Sequence, residues 1–348
     1  MKRLYPNQKL FAGIDLHSNN LYLGIIDQDN KRIHQRRVPC ELDVVLAEFE
    51  PFREHLVGIV VESTYNWYWL VDGLMDNQYP VHLANPAAMQ KYSGLKHSDD
   101  KYDAFWLADM LRLGSLPKGY IYPKEDRPIR DLLRKRCFLV QLRTSAINNL
   151  QGMLCRTLGH GLSSSLMKRR VVNHVDDMLC DQAEDLRFNG IVSKKVIDVL
   201  SNQIECVETV VLGELKLRPA FIGLNTIPGV GKILALTIML ETGEIGRFPK
   251  VGNFSSYCRK VPTGWLSNNK KKGKGNSKNG NKYLAWAFSE AAELARRFDP
   301  RVRAYFNRKA SKSNRMVAHA ALAHKLARTA YIIMRDGRAF DHDKLFAA

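Results

Sequence analysis

The sequence predicts an α/β unit followed by a longer, mainly helical region. Two observations predict this order. Up to about residue 118, short apolar runs bounded by turn residues alternate with helical patterns. Beyond residue 125, apolar residues recur at the three- and four-residue spacing of helix faces. The chain of 348 residues is long enough to hold two or three domains, each with its own core.

The first part contains eight predicted elements. Strand-like runs lie at 10–16, 21–26 and 31–38, separated by turn residues at 19–20 and 27–30. A helix at about 41–52, a strand at 56–62, a helix at 67–75, a short strand at 81–84 and a helix at about 102–113 follow. The order β-β-β-α-β-α-β-α is the layout of the ribonuclease H-like, or RuvC-like, nuclease fold. We therefore expect an RNase H-like domain at 1–120.

Four acidic residues fall where this layout converges. Asp15 lies in the first apolar run, Glu62 ends the fourth, and Asp100 and Asp103 begin the last helix. An unpaired carboxylate in a buried strand costs several kcal/mol, roughly, which a cation would offset. The two helical acids are three residues apart, so they share one face. The set is a candidate magnesium site, with two metals expected and Mn²⁺ as an alternative.

Structural roles for these acids are the alternative. Single acids are common at strand ends, and a carboxylate at a helix N-terminus is favourable without any metal. Asp99 competes with Asp100, because Asp99 and Asp103 are also neighbours on one helix face. The histidines, His17 and His97 among them, show no paired metal spacing and are interpreted as structural or surface groups.

The charge of the chain narrows its partners. Lysines and arginines number 53 against 35 acids, a formal net charge of +18. Such an excess favours polyanions, above all nucleic acid, over a solvated basic surface with no polyanion. No 18-residue apolar run or signal sequence is present, and the six cysteines are scattered without ligand spacing. These features predict a cytoplasmic protein with reduced thiols and no membrane partner.

A helical, coiled-coil region is predicted at 125–218. One apolar stripe repeats every seven residues at Leu133, Val140, Ile147 and Leu154. A second runs through Ile197, Leu200, Ile204, Val207 and Val211. The two helices can pair within one chain or between chains, and a contribution to dimerisation is the favoured interpretation. The first helix is also basic, so its outer face can track a phosphate backbone.

A third, mainly helical domain is predicted at 219–348. It opens with Ile227-Pro228-Gly229-Val230-Gly231-Lys232 before an apolar helix, a pattern that resembles a helix-hairpin-helix turn. There, glycines let backbone N–H groups and a residue such as Lys232 approach a phosphate. A tight turn between packed helices is an equal alternative. The sequence is not a Walker loop, because Thr226 and Ile233 stand where glycine and serine or threonine are required.

Residues 247–283 contain ten lysines or arginines and no acid. Within them, residues 266–280 have no apolar periodicity, so a mobile loop is expected. The density of cations suits phosphate contacts, for which the candidate residues are Lys270, Lys271, Lys272, Lys274, Lys278 and Lys282. Two serines, Ser267 and Ser277, lie in the same stretch. A cationic loop would stabilise a serine alkoxide and a phosphoryl transition state.

These motifs together resemble the DEDD-type insertion-sequence transposases, which recombine DNA under a bridge RNA. The N-terminal resemblance is carried by Gly13-Ile14-Asp15, Val61-Glu62-Ser63 and Asp100-Lys101-Tyr102-Asp103-Ala104. The C-terminal resemblance lies at 227–231, 257–262, 277–284, 299–305 and 334–337. Most of the chain is covered, with the helical middle the least specific part.

The resemblance implies a mechanism and partners. The four acids, Asp15, Glu62, Asp100 and Asp103, would hold the metals in a RuvC-like domain. A serine of the C-terminal transposase domain would form a phosphoserine link to DNA, and by position it is Ser267. Two protomers would complete one active site in a dimer or tetramer. A structured guide RNA would pair with donor and target double-stranded DNA in the bacterial cytoplasm, at the nucleoid.

This sequence departs from the family pattern at two places. The family usually has Ser-Gly at the nucleophile, and this chain has Leu266-Ser267-Asn268. Ser277 is the second candidate, in a Ser/Thr-Lys turn that resembles a phosphate-binding site. The arginine that usually follows Tyr-Leu is replaced by Ala285-Trp286. The alternatives to a transposase are a junction-resolving nuclease that uses water and a non-catalytic nucleic-acid-binding protein.

Overall fold

The computed structural model describes residues 8–89, 100–170, 173–214, 218–262, 264–268, 270–273 and 279–346. The chain divides into two compact units, an N-terminal unit up to Lys124 and a C-terminal unit from Glu125. The first is built on a mixed five-stranded sheet with helices, consistent with the RNase H-like expectation, and the second is mainly helical. The separation of a coiled-coil domain from a C-terminal domain stays a prediction.

The N-terminal unit follows the expected element order closely. Its strands are β1 (Leu10–Leu16), β2 (Asn20–Asp27), β3 (Arg32–Pro39), β4 (Leu56–Glu62) and β5 (Val81–Ala84). Its helices are α1 (Leu42–Phe49), α2 (Tyr68–Asp76), α3 (Pro86–Met89) and α4 (Asp100–Arg112), with a 3-10 helix at Glu50–His55. The helix predicted at 41–52 changes to 3-10 form at Glu50, next to Pro51, which cannot donate a backbone hydrogen bond.

The sheet order is β3-β2-β1-β4-β5. β1 and β2 are antiparallel, as are β2 and β3, whereas β4 runs parallel to both β1 and β5. Every residue of β1 is buried, because this central strand is covered on both faces. The apolar residues of β1, β2 and β4 pack with α1 and α2 into one core.

Helix α4 lies against the other face of the sheet. A Cβ atom on Gly13 would lie 2.0 Å from the carbonyl oxygen of Ala104, and one on Gly24 would lie 2.9 Å from the Phe105 ring. Gly13 and Gly24 are paired across β1 and β2. Two adjacent glycines therefore provide the space into which α4 settles, which brings its first turns close to the sheet.

The C-terminal unit contains eleven helices and one hairpin in its described part. The helices are α5 (Arg127–Leu158), α6 (Ser164–Met167), α7 (His174–Leu179), α8 (Glu184–Gly213), α9 (Pro219–Leu224), α10 (Lys232–Thr242), α11 (Val251–Tyr257), α12 (Lys282–Phe298), α13 (Pro300–Ser311), α14 (Arg315–Asp336) and α15 (His342–Phe346). A short 3-10 helix, Ile245–Arg247, precedes α11. The main core joins α9 to α14 around buried alanines, leucines and phenylalanines.

Helices α5 and α8 form an antiparallel pair within one chain. Arg136 Nε lies 2.6 Å from Glu208 Oε1, and Arg143 donates to Ser201 at 3.2 Å, so residue numbers rise along one helix as they fall along the other. Leu154 and Ile197, from the two heptad stripes, are buried in one cluster. The stripes thus pack against each other intramolecularly. This is the intramolecular alternative, and a contribution of these helices to dimerisation stays a prediction.

The expectation of an unstructured loop at 266–280 is wrong for its first half. Strands β6 (Trp265–Ser267) and β7 (Lys270–Gly273) form an antiparallel hairpin in which Trp265 pairs with Gly273 and Ser267 with Lys270. Asn268, at the turn, has a φ of +52°, a conformation that asparagine tolerates well. Backbone pairing, which needs no apolar periodicity, orders this segment. Residues 274–278 lie outside the described part.

None of the helices in the described part of the chain is long and apolar enough to cross a lipid bilayer.

Candidate active site

Asp15 and Glu62 lie side by side at the ends of two parallel strands. The β1–β4 register pairs Ile14 with Val61, and Asp15 and Glu62 each follow the paired residue. Because residues in register share a face of the sheet, both carboxylates lie on the same side. Gly13, two residues before Asp15, faces α4, so this is the α4 side. Asp15 is 7% exposed.

Helix α4 brings a third carboxylate to this edge. Asp103 precedes Ala104, the residue whose carbonyl lies over Gly13. The pKa of Glu62 is raised, first by burial and then by the negative charges of Asp15 and Asp103. The three carboxylates are therefore close enough to repel one another. Asp100 is the first residue of α4, and its side chain lies outside the described part of the structure.

His17 contacts the most buried of these acids. Its Nε2 atom lies 3.1 Å from Asp15 Oδ2, and it also lowers the pKa of Glu62. The backbone carbonyl of His17 accepts a hydrogen bond from Asn66 Nδ2 at 2.7 Å. The β1–β2 turn is thereby tied to the loop that follows Glu62, which holds the two acid-bearing strand ends together.

The donor set suits a divalent cation, although it does not form a closed cage. Carboxylate oxygens are the preferred ligands of Mg²⁺. Burial and, after it, repulsion from Asp15 and Asp103 raise the pKa of Glu62, and a bound cation would relieve both. Among the described residues, no group of three His, Cys, Asp or Glu side chains is close enough to enclose a metal ion. The three carboxylates fit the group as an open site rather than as a preformed cage.

The candidate nucleophile lies in the hairpin of the C-terminal unit. Ser267 is the last residue of β6 and pairs with Lys270, the first residue of β7. Lys270, Lys272 and Lys282 are exposed. The side chains of Ser267 and Lys271 are outside the described part of the structure. So are residues Lys274, Ser277 and Lys278 altogether.

We call residues 247–283, which include the β6–β7 hairpin, the hairpin segment. Hydrogen bonds between residues that flank the hairpin close its base. Arg259, at a φ of +54°, donates from Nε and Nη2 to the carbonyl oxygen of Gly280 at 3.1 and 2.8 Å. The backbone N–H of Asn281 donates to the Tyr257 carbonyl at 2.6 Å. Gly280 has a φ of +93°, and a Cβ there would lie 2.5 Å from the Tyr257 oxygen, so the close approach requires glycine.

The buried carboxylate of Glu241 also holds this base in place. Glu241 of α10 is 1% exposed and accepts from Arg134 Nε at 2.5 Å and from Asn281 Nδ2 at 2.7 Å. Arg130 Nε lies 3.2 Å from the same carboxylate. Burial would raise the pKa of Glu241, but the hydrogen bonds and charges of the two arginines and the bond from Asn281 hold it below its usual range. Asn281 also caps α12 by accepting from Tyr283 and Leu284.

The two glycines before α10 have different surroundings. A Cβ on Gly229 would lie 2.4 Å from the Ala291 carbonyl of α12, and its φ is +79°. Gly229 therefore serves packing, as the tight-turn alternative requires. Gly231 has open space around it, and Lys232, the first residue of α10, is exposed. The N-terminus of α10 can therefore be reached by a phosphate.

Sequence reasoning missed two groups of residues at these positions. His17 was interpreted as a structural or surface residue, although it lies only two residues after Asp15, in the turn that follows β1, and this nearness in the sequence is a usable signal. Glu241, Arg130, Arg134 and Asn281 have no such signal, because their contacts join residues 40 to 111 positions apart.

Comparison with known proteins identifies the family. A DEDD-type model of the IS110 group, described as "Transposase", matches residues 12–158. A second model, described as "Transposase IS116/IS110/IS902 family", matches residues 223–307. The first range contains Asp15, Glu62, Asp100 and Asp103, and the second contains Ser267.

Two relatives agree with these matches. The transposase for insertion sequence element IS1111A of Coxiella burnetii is 26% identical over 282 residues, which cover 78% of this chain and 74% of that protein. The transposase for insertion sequence element IS1328 of Yersinia enterocolitica is 24% identical over 348 residues, which cover 96% and 99%. The chain belongs to the IS110/IS1111 family of insertion-element transposases, enzymes of DNA transposition.

Proposed function

We propose that this transposase cuts and rejoins double-stranded DNA by serine transesterification. Asp15, Glu62, Asp100 and Asp103 bind divalent metal, and Ser267 is the nucleophile. The observation that carries the proposal is the gathering of Asp15, Glu62 and Asp103 at one strand edge, where burial first and then the charges of Asp15 and Asp103 raise the pKa of Glu62. Holding several carboxylates close together costs free energy, and such an arrangement is typical of a site that binds a cation.

Magnesium is the proposed cofactor, with two ions per site and Mn²⁺ as a substitute. A cation held there would supply Lewis-acid stabilisation of charge on the scissile phosphate. The chain's own contribution is orientation. His17 fixes the Asp15 carboxylate, and the Asn66 bond to the His17 carbonyl holds the strand ends in place. The close contact between Gly13 and α4 determines how near Asp103 comes to Asp15 and Glu62.

The proposed covalent step is an exchange of one phosphodiester for another. A bond forms between Ser267 Oγ and phosphorus, and the bond from phosphorus to the 3′ oxygen breaks. The serine proton is balanced by the proton that the departing 3′ oxygen gains. Attack of a new 3′ hydroxyl on the phosphoserine reverses the step and rejoins the strands, so no ATP is consumed.

The acid-free hairpin segment provides the electrostatic setting for this step. Lys270, Lys271 and Lys272 adjoin Ser267 in the hairpin, where they would neutralise charge that develops on the phosphate. Lys232, Lys274, Ser277, Lys278 and Lys282 are proposed as further phosphate contacts. The fastened base, with Arg259 on Gly280, would keep the serine in a reproducible position.

The proposed partners are nucleic acids and further copies of the chain. A structured guide RNA would select donor and target DNA, and a dimer or tetramer would combine the acids of one protomer with the serine of another. The proposed location is the nucleoid of a bacterial cell. Family membership as a transposition enzyme argues against the alternative of a non-catalytic binding protein.

Cleavage of labelled DNA tests the proposal. Purified protein is incubated with Mg²⁺, labelled element-end DNA and RNA transcribed from the element's flanks, and denaturing protein gels are read for label that survives boiling. The expected adduct disappears in Ser267→Ala and in Asp15→Asn and persists in the matched surface variant Ser193→Ala. Cleaved DNA without an adduct, undiminished in Ser267→Ala, would instead establish a junction-resolving nuclease that uses water.

A further inference from the structure

A second acid-free stretch covers most of α13 and α14. Residues 300–335 contain nine lysines or arginines and no aspartate or glutamate. This density of cations is comparable to that of the hairpin segment, yet the stretch is helical apart from the short connection between α13 and α14. Most of these cations therefore lie on helices rather than on a loop.

Four of these cations lie at the corner between the two helices. Arg308 and Lys309 are in the last turn of α13, Lys312 follows that helix, and Arg315 begins α14. All four are exposed. We call these four residues the corner cluster. Asn314 caps α14 by accepting from Val317 N at 2.9 Å, so the backbone of the corner is fixed.

Three arginines of the same unit have acidic partners, whereas no ion pair is found for the corner cluster among the described residues. Arg296 pairs with Glu293 at 2.5 Å, Arg301 with Asp343 at 3.2 Å and Arg335 with Asp336 at 2.7 Å. Arg308 and Lys309 complement the negative end of α13. Lys312 and Arg315 lie at the positive end of α14, where a cation is unfavourable. The corner cluster is thus a net repulsive arrangement that a polyanion would relieve.

Specific contacts connect the corner to the base of the hairpin. His319, one turn after Arg315, has Nε2 3.1 Å from the Ser289 carbonyl of α12. The Ser289 hydroxyl accepts from Lys260 Nζ at 2.6 Å. Lys260 lies five residues before Trp265, where the hairpin begins. The corner and the base of the hairpin therefore lie on neighbouring parts of one unit, joined through α12.

We propose that the corner cluster holds the phosphate backbone of the DNA duplex that flanks the cleavage site. This inference rests on the proposed function, because it takes the Ser267 hairpin as the place where DNA is cut. The cluster contacts phosphates and carries no sequence preference. Its role is to anchor the duplex beside the hairpin while strands are exchanged.

Salt dependence of binding tests the corner cluster directly. The substitutions Arg308→Gln, Lys309→Gln, Lys312→Gln and Arg315→Gln are combined in an Asp15→Asn protein, and affinity for a labelled 40-base-pair element-end duplex is measured with chelator present. Each phosphate contact contributes about 0.9 to the slope of log affinity against log salt. The slope is expected to fall by about 3 to 4, with affinity at 0.1 M salt lowered by at least about 100-fold.

A matched control separates the cluster from net charge. Arg156, Lys168, Arg169 and Lys195 are equally exposed, and replacing all four by glutamine removes the same charge from the helical middle. This control is expected to change the slope by less than about 1. An equal loss in both quadruple variants would overturn the proposal. So would a loss confined to the transcribed RNA with duplex binding unchanged.

Two further measures keep the result interpretable. If the quadruple variant does not fold, the pairs Arg308→Gln/Lys309→Gln and Lys312→Gln/Arg315→Gln are each expected to lower the slope by about 2, and no change in either would contradict the proposal. Binding in an uncleaving background needs no covalent chemistry. If the serine mechanism is wrong, the salt dependence of binding can therefore still be measured. If the corner cluster does not bind DNA, adduct formation on saturating DNA is unaffected.

Discussion

Gly13 of β1 and Ala104 of α4 pack so closely that no side chain fits between them, because a Cβ on Gly13 would lie 2.0 Å from the Ala104 carbonyl oxygen. The next residue along α4 in the N-terminal direction is Asp103, and two residues after Gly13 comes Asp15. One close contact between a strand and a helix thus determines how near two of the candidate metal ligands come to each other.

Substitution of Gly13 by alanine should disturb both stability and catalysis. The added methyl group would meet backbone atoms of Ala104 and Ala108, which cannot rotate away, so α4 must move. Overpacking of this kind costs about 1–3 kcal/mol, to be measured by urea unfolding. Gly252→Ala in α11, which has open space, should be neutral. Equal stability of Gly13→Ala and wild type would contradict the described contact.

Glu62→Gln should raise the stability of the metal-free protein and greatly reduce the stabilisation that metal provides. The pKa of Glu62 is raised in the folded state by burial and by Asp15 and Asp103, so its ionised form opposes folding at pH above that pKa. Wild type should gain about 2.7 kcal/mol when Mg²⁺ is present at 100 times its Kd, and Glu62→Gln should gain far less.

Thermal unfolding with and without Mg²⁺ checks this prediction, with the exposed Glu54→Gln as the control. Glu54→Gln should behave like wild type in both conditions. A lower melting temperature for metal-free Glu62→Gln, or an undiminished increase on addition of Mg²⁺, would show that Glu62 has a structural role instead.

Glu241→Gln should destabilise the C-terminal unit in a pH-dependent way. Burial acts to raise the pKa of Glu241, but its arginine and asparagine partners lower it overall. Its contribution is therefore present above the unfolded carboxyl pKa, about 4.3, and is lost as pH falls through the lower folded pKa. At pH 7 the loss should be about 3 kcal/mol, because two arginines stay buried beside a neutral side chain.

The surface variant Glu293→Gln provides the comparison, because its Arg296 partner is solvent-accessible and such pairs contribute less than about 1 kcal/mol. Urea unfolding of the three proteins from pH 3 to pH 8 gives the answer. The difference between wild type and Glu241→Gln should be constant above pH 5 and shrink below pH 4, roughly. A difference that does not vary with pH would exclude an ionised Glu241.

Two inactive variants should restore activity when mixed, if protomers share a site. A mixed dimer of Asp15→Asn and Ser267→Ala would have one site with intact acids and an intact serine, provided that these come from different copies. Co-refolded mixtures should then recover about a quarter of wild-type cleavage. Complete inactivity of the mixture, with mixed dimers present, would assign acids and serine to the same copy.

Local patterns in the sequence were sufficient for the five strands of the N-terminal unit, but the short helix α3 was not predicted. The strand bounds of β1, β4 and β5 coincide with the apolar runs 10–16, 56–62 and 81–84, because polar or turn residues interrupt these runs. The proximity of Asp15 and Glu62 then follows from strand order. The contact of His17 with Asp15 is indicated only by their separation of two residues, because His17 lies beyond the end of β1, in the turn to β2.

Long-range polar contacts were beyond the reach of local patterns. Glu241 lies in an apolar helical run and gives no sign of the two arginines more than 100 residues away that hold it. The hairpin at Trp265–Gly273 was also missed, because backbone pairing between a tryptophan-containing strand and a lysine-rich strand leaves no periodic trace. The hairpin carries Ser267 and Glu241 supports the base of that segment, so the sequence predicted the chemistry but not the structure that supports it.

The residue that becomes bonded to DNA is the most direct test of the proposed mechanism. Trypsin separates the two candidate serines, since Ser267 lies in residues 261–270 and Ser277 in residues 275–278, each ending in lysine. The adduct is trapped with Mg²⁺ and element-end DNA, digested with nuclease and trypsin, and analysed by peptide mass spectrometry. We predict a nucleotide linked through its phosphate to Ser267 on the 261–270 peptide. Modification of the 275–278 peptide, or cleaved DNA with both peptides unmodified, would contradict the account.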